Sequence, residues 1–357
     1  MPETAQGVLP DHAIAAMIET GAIAATPPVP ADQIQPASLD LRLGHRAYRV
    51  RASFLAGDGR SVSDRLSEFT MHEMDLTQGA VLEKGCVYVV PLMEALALPH
   101  DVTAICNAKS STGRVDCLTR VIADGGVEFD RIPAGYTGPL YAEICPRSFS
   151  VKVAPGLRLN QIRFRRGQAT LTDDELRTRH ARTPLVDQPP LIDDGLGFSV
   201  DLAPSDGTLV GYRAKPHTGV IDLTQIGTHP TGAYWEQLHS TNGQIILDPG
   251  AFYILVSREA VTIPPDCAAE MAPYLAMVGE FRVHYAGFFD PGFGHGIPAR
   301  GVLEVRCHEA PFVLEHGQTV GRLVYESMAD TPQTLYGADI ASNYQGQGLK
   351  LSKHFKP

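Results

Sequence analysis

The chain has 357 residues, 44% hydrophobic and 20% charged, long enough for two ordinary domains with ample core. Forty acidic against 30 basic residues leave a formal charge of -10, which argues against nonspecific binding to nucleic acid or an anionic membrane, while a local basic pocket for a free nucleotide stays compatible. No apolar run reaches the length of a membrane span, and no basic stretch followed by a hydrophobic one opens the chain, so the expectation is a cytoplasmic protein with no membrane contact and no secretory signal.

In chain order, Asp11 is expected to cap a short helix through about Thr20, with Ile14, Met17 and Ile18 on one face and Gly21 as its stop. A loop rich in proline (Pro27, Pro28, Pro30, Pro36) follows. From Ser38 the pattern turns to short apolar or alternating runs punctuated by Gly, Pro, Asp and Asn, which predicts an all-β fold. One further helix is expected near Thr172 to Arg179, where Thr172-Asp173-Asp174-Glu175 forms a capping-box pattern. The stretch from Arg177 to Asp194, with Pro184, Pro189 and Pro190, is the linker candidate, dividing the chain into units 1–180 and 195–357.

Six cysteines, at 86, 106, 117, 145, 267 and 307, form no CxxC pair and read as thiols in a reducing compartment. The H-x-E and P-C-x-x-C segments with which zinc-dependent nucleobase deaminases hold their metal are missing from the sequence, so no zinc is expected. His295 and His308 lack a third ligand at metal spacing.

Chemistry concentrates in Ala108-Lys109-Ser110-Ser111-Thr112-Gly113-Arg114. Arginine holds phosphate bidentately, lysine adds a point charge, and serine hydroxyls or turn amides complete the oxyanion contacts, although a solvated loop has the same composition. A hairpin follows, from Phe129 through Gly138, and its far strand carries Glu143 among apolar neighbours. A carboxylate there either has a raised pKa suited to a general base or is satisfied in an ion pair.

The chain repeats itself. Ser38-Leu39-Asp40-Leu41 recurs as Ser199-Val200-Asp201-Leu202, and Leu82, Gly85, Tyr88, Pro99 and Asp101 recur in order as Leu247, Gly250, Tyr253, Pro264 and Asp266. Glu143, Gly156 and Phe164 recur as Glu304, Gly317 and Tyr325. Two copies of one β domain are therefore predicted. They have diverged: where the first has the serine-arginine run, the second has Tyr274-Leu275-Ala276-Met277-Val278-Gly279. The second hairpin keeps Ala286 and Asp290-Pro291-Gly292, where the first has Phe129 and Pro133, and the first keeps Arg131 where the second has Phe288.

The run AKSSTGR, the hairpin DRIPAGYTGPLYAE and the earlier ASLDLRLG together resemble the dCTP deaminases of the trimeric dUTPase-like family, here in tandem form. The resemblance implies two distorted, jelly-roll-like β-barrels and hydrolytic deamination of dCTP to dUTP and ammonia. It implies phosphate contacts from Lys109, Ser110, Ser111 and Arg114, base and sugar contacts from Arg131, Ala286, Asp290, Tyr336 and Gln347, and water activation by Glu143 or Glu304. Magnesium on the triphosphate is the implied cofactor. In this family the site is shared between neighbouring domains of an oligomer, so a homo-oligomer is expected, and two layouts are open. Either the Ser110 turn faces the first hairpin of another molecule, with Arg131 and Glu143, or it faces the second hairpin, with Asp290 and Glu304. The tail resembles the family's closing segment through Tyr336, Tyr344 and Gln347, but has Asn343 where the family has lysine, with Lys350 and Lys353 further on. The rival readings are a dUTP diphosphatase, a bifunctional enzyme and a non-catalytic nucleotide-binding module. Of the remaining residues, Trp235 is expected to anchor packing, and Arg163, Arg165 and Arg166 to form a solvated strand edge.

Overall fold

The computed structural model describes residues 5–205, 207–273, 281–284, 287–337 and 348–356. It is built mainly of antiparallel strands, and the two halves repeat one topology. In the first copy one sheet runs Arg131–Ile132, Val102–Ala108, Arg158–Arg166, Ser38–Arg42, and in the second the order is Phe288–Phe289, Cys267–Pro273, Thr319–Ser327, Leu196–Ser199. The other sheet runs Cys117–Ala123, Thr137–Pro146, Val87–Ala97, Arg46–Val50, Thr70–Asp75, and its counterpart Phe281–His284, Ala299–Cys307, Phe252–Val261, Leu209–Ala214, Trp235–His239. Register agrees as well as order. Glu143 lies opposite Val89 as Glu304 lies opposite Ile254, and Arg131 opposite Ile105 as Phe288 opposite Glu270. The duplication read from scattered residues is thus a duplication of architecture.

The alternating strands bury one face each, and two large clusters result. One gathers Leu39, Val90, Ala142 and Phe164 of the first copy and continues through Trp235, Phe252 and Ile254 of the second. The other, around Phe198, Leu255, Leu303 and Leu323, lies within the second copy and its approach. Trp235 is a packing anchor as expected, edge-on to Phe149 at 5.3 Å and to Phe355 at 5.7 Å. Main-chain pairing also crosses between copies, where Val151–Val153 pairs in parallel with Ile221–Asp222.

Several local expectations change. The first helix spans Asp11–Glu19 and stops at Gly21 in the left-handed region, but Pro10 occupies its N-cap. Asp11 instead accepts from the Gln333 and Thr334 amides at 2.9 and 2.8 Å, because a buried carboxylate is better satisfied by two free amides of a distant segment. The second expected helix spans Asp173–Arg182 with the Thr172–Glu175 capping box formed, so the connecting segment is helical beyond Arg177. A further helix, Val62–Phe69, was not anticipated. It has its own capping box, Ser61 with Asp64, and buries Val62 and Leu66, a signal that its polar composition obscured.

The largest correction concerns Arg163 and Arg165. Arg163 is fully buried between the copies rather than solvated. Its guanidinium donates to the Ala269 and Phe289 carbonyls at 3.0 and 3.3 Å, to Asp290 at 3.1 Å and to Glu326 at 3.2 Å, and lies over the Phe288 ring. Arg165 pairs with Glu270 and Glu326, while Arg166 keeps a half-exposed pair with Asp101. The acidic partners of the first two lie on strands and turns more than 100 positions away, so local composition could not reveal them. Replacing Arg163 with alanine strands the buried Asp290 carboxylate and leaves Glu326 to Arg165 alone, and is expected to cost about 3–5 kcal/mol. Urea unfolding checks this: an unchanged midpoint would mean the cluster does not hold the copies together.

Candidate active site

Strand Val102–Ala108 ends at Lys109, whose amide donates to the Leu159 carbonyl at 2.8 Å, and the chain then turns through the short helix Ser110–Gly113. The turn is closed by the Thr112 and Gly113 amides on the Lys109 carbonyl at 2.8 and 3.0 Å and by the Arg114 amide on the Ser110 carbonyl at 3.0 Å. Ser111, Thr112 and Arg114 are buried beneath it. Asp40, on Ser38–Arg42, ion-pairs with the Lys109 ammonium and lies 3.7 Å from Arg158. The end of the chain lies against the same turn: Arg114 donates to the Lys350 carbonyl at 3.1 Å, and the Ser352 hydroxyl donates to the Ser111 carbonyl at 2.8 Å.

Across from this turn stands the second copy. Glu304, on Ala299–Cys307, is buried with one oxygen 3.8 Å from Arg114 Nε. Burial pushes its carboxyl up to about 8, and the Arg114 charge only partly offsets that. Asp290 is also buried. Its carboxyl is raised by burial, opposed by the Arg163 contact and by the charge of Lys109. Gly292 follows at φ 95°, and a Cβ there would meet the Tyr336 backbone at 3.0 Å. This close approach lets the Tyr336 amide donate to the Pro291 carbonyl at 2.9 Å, and its ring tilts against Phe293. The structure therefore brings Ser111 and Arg114 of the turn together with Glu304 and with Lys350 and Ser352, and sets Asp290 against Arg163 with Tyr336 beside Pro291 and Gly292. Ala286 and Gln347 lie outside the described residues, as do Asn343 and Tyr344.

Glu143 and Arg131 have other surroundings. Arg120, directly opposite on the neighbouring strand, holds Glu143 at 2.5 and 3.2 Å and stacks on Phe129 at 3.5 Å. Arg120 thus engages one oxygen of Glu143, while the other, Oε2, is buried with no hydrogen-bond partner. In the second copy the residue opposite Glu304 is His284, so the duplicated glutamates differ in their strand partner. Arg131 is exposed and paired with Glu128 at 3.1 Å, lining a cavity of about 470 Å³ with Pro133, Ala134 and Arg165. Nearby, burial raises the Asp130 carboxyl to about 7. Sequence reasoning missed Arg120 and Arg163, whose roles depend on strand register and copy contact. Asp40 could have been found, since it stands inside the repeated Ser-Leu-Asp-Leu motif.

A duplicated all-β chain with a basic turn of one copy set against a buried carboxyl of the other has the dUTPase-like architecture. The family model for the N-terminal domain of 2'-deoxycytidine 5'-triphosphate deaminase matches residues 5–168, and that for its C-terminal domain matches residues 172–355. The chain belongs to the 2'-deoxycytidine 5'-triphosphate deaminase family, a family of enzymes. A crystal structure of 2'-deoxycytidine 5'-triphosphate deaminase from Agrobacterium tumefaciens is 55% identical, covers 91% of this chain and 100% of its own, and superposes with a TM-score of 0.88. The dCTP deaminase of Haloarcula marismortui is 29% identical over 161 residues, 44% of this chain and 79% of its own length. A protein of Methanosphaera stadtmanae named "dCTP deaminase, dUMP-forming" is 30% identical over 162 residues, 43% of this chain and 78% of its own.

The raised Glu304 carboxyl has a consequence for stability. With its proton held near pH 8 in the folded chain and near 4.5 in the unfolded one, both states are protonated at pH 4. As pH rises through this window only the unfolded chain ionises, so this group progressively lowers stability. Glu304→Gln removes the titration. Relative to the parent, the variant is expected to gain stability steadily between about pH 4.5 and 8, measured by urea unfolding at several pH values. Parallel pH curves for the two proteins would mean that Glu304 is already ionised in the fold.

Proposed function

We infer that the chain hydrolyses dCTP to dUTP and ammonia in a site formed between its two copies. The observation that carries this reading is the buried Arg114–Glu304 approach, in a chain of this family. Glu304 takes a proton from water as the water oxygen attacks C4 of cytosine, and passes it to N3. A second proton, from the new hydroxyl, travels by the same carboxyl to the exocyclic amine, the C4–N bond breaks and ammonia leaves. A carboxyl that titrates within about a unit of neutrality suits both transfers, which are worth roughly 100-fold to 10,000-fold in rate. Arg114 stabilises the ionised carboxylate between transfers, and the Ser110 and Ser111 hydroxyls orient the water and phosphates. Asp290 faces the sugar in this reading, with Arg163 fixing its position.

Magnesium on the triphosphate belongs to the proposal and would offset phosphate charge there. Asp40 and Asp290 each already face a cation, which fits an ion held chiefly by phosphate oxygens and water. A homo-oligomer is also proposed, on the exposed cross-strand pair Ile246 and Val313. No helix among the described residues is long and apolar enough to cross a membrane, and all six thiols are free, as suits the proposed cytoplasmic setting.

A second reading comes from relatives named as dUMP-forming, in which deamination is followed by loss of diphosphate. Chromatography of the products from dCTP separates the cases. Ammonia with dUTP supports the first, ammonia with dUMP and diphosphate the second, and binding without any product would sink both.

Glu304→Gln is expected to slow ammonia release at least about 100-fold while dCTP still binds, whereas Glu143→Gln is expected to stay within a few-fold of the parent. The reverse pattern would move the general base to the first copy and revive the layout with Arg131.

A further inference from the structure

One strand edge that is covered in the first copy lies open in the second. In the first copy, Val151–Val153 pairs antiparallel with Ala80–Leu82 on one side and parallel with Ile221–Asp222 of the second copy on the other. Phe312–Glu315 and Gln244–Leu247 repeat the antiparallel pair in the same register: Val151 opposite Leu82 becomes Phe312 opposite Leu247, and Lys152 opposite Val81 becomes Val313 opposite Ile246. Among the described residues, no strand pairs with the far side of Phe312–Glu315.

The two edges differ in chemistry. At the covered edge, Lys152 pairs with Asp222 at 3.3 Å, and its carbonyl accepts from the Leu223 amide at 3.0 Å. At the open edge its counterpart is Val313, half-exposed beside Ile246, which is 63% exposed. Open strand edges are ordinarily blunted by charge, lysine above all, because an apolar edge recruits another strand. Here the lysine stands where a strand already lies, and valine where none does. The Lys152 main chain faces away from Ala80–Leu82, so at the same register the Val313 N–H and carbonyl face outward.

We propose that Phe312–Glu315 is a dimerisation strand, pairing antiparallel with the same strand of a second copy of this chain about a two-fold axis through Val313. The register follows from the residues that alternate outward, Pro311, Val313 and Glu315. Pro311 has no N–H, the Glu315 amide already donates to Gln318 Oε1 at 3.3 Å, and two glutamates set opposite each other repel. At Val313 the two chains exchange both N–H···O bonds, and the Val313 and Ile246 side chains leave water together. The same axis turns Glu309, ahead of one strand, toward the Gly317 turn that follows the other. A Cβ at Gly317 would lie 3.7 Å from Arg258 Nη1, and among the described residues neither Glu309 nor the exposed Arg258 has an ion-pair partner. The charges at the two ends of the paired strands are thus complementary. This pairing specifies the oligomer proposed above and does not depend on the chemistry between the copies.

A ladder of four residues a side is at the small end of specific interfaces, so a Kd of about 1–100 µM is expected, read by sedimentation equilibrium of the full-length protein across that range. Val313→Lys, which installs the residue the first copy has at this position, is expected to weaken dimerisation at least about 10-fold, and Ile246→Glu provides the same comparison should lysine disturb the sheet. Val313→Cys is expected to be joined into covalent dimers by a short bismaleimide, to a level the parent does not reach with its buried and half-buried thiols. A parent that stays monomeric would overturn the pairing and leave the edge to a different partner. Unchanged association in both charged variants, or a mass of three chains, would overturn it as well and move the oligomer to another surface.

Discussion

Charges removed from water between the two copies impose the constraint on which this molecule depends. Arg163 has no exposed surface, and its two Nη groups donate to Asp290, Glu326 and two carbonyls of the other copy. Arg306 returns the pattern in the opposite direction, reaching Asp116 and Ser148 of the first copy. Such pairs are costly to desolvate and tolerate little misplacement, so they favour one docking geometry over sliding alternatives. That geometry sets Arg114 beside Glu304 and Arg163 against Asp290.

Duplication accounts for the asymmetry of the site. For the site proposed between the copies, one turn from the first and one hairpin from the second suffice. The first copy keeps the turn, and its glutamate is neutralised by Arg120 with Phe129 stacked beneath. The second copy keeps Asp290 and a glutamate whose cross-strand neighbour is His284, and has no serine or arginine in Tyr274–Gly279. Two carboxylates at equivalent positions of one topology thereby stand in different surroundings, Glu143 beside Arg120 and Glu304 near Arg114 of the other copy. The raised Glu304 carboxyl follows from burial with one cation at 3.8 Å instead of a tight pair.

The closing segment joins the same constraint. Its aromatic anchor, Phe355, sits in a cluster shared by both copies, and its polar groups contact the backbone of the serine-arginine turn. Packing energy gathered around Phe355 thus holds polar atoms against the Ser111–Arg114 turn.

Much of this was legible beforehand. Alternating runs with Gly and Pro punctuation identify the strands, and the recurrence of Leu82, Gly85 and Tyr88 as Leu247, Gly250 and Tyr253 identifies the duplication, because periodicity and turn chemistry are local properties. The Ser110 turn and the hairpin glutamates were legible for the same reason. Helix Val62–Phe69 was hidden by its polar composition, and Asp11 by a partner 322 positions away. What local pattern cannot carry is which distant charge meets which. Arg163 looked like a solvated strand end, and Glu143 and Glu304 looked alike. The sequence by itself determined the β fold, its repetition and the residue types of the site. Strand register within the first copy decided that Glu143 is paired, and the packing of one copy on the other decided that Arg163 is buried and that Glu304 faces Arg114, because burial and pairing depend on distances between strands that the chain order does not encode.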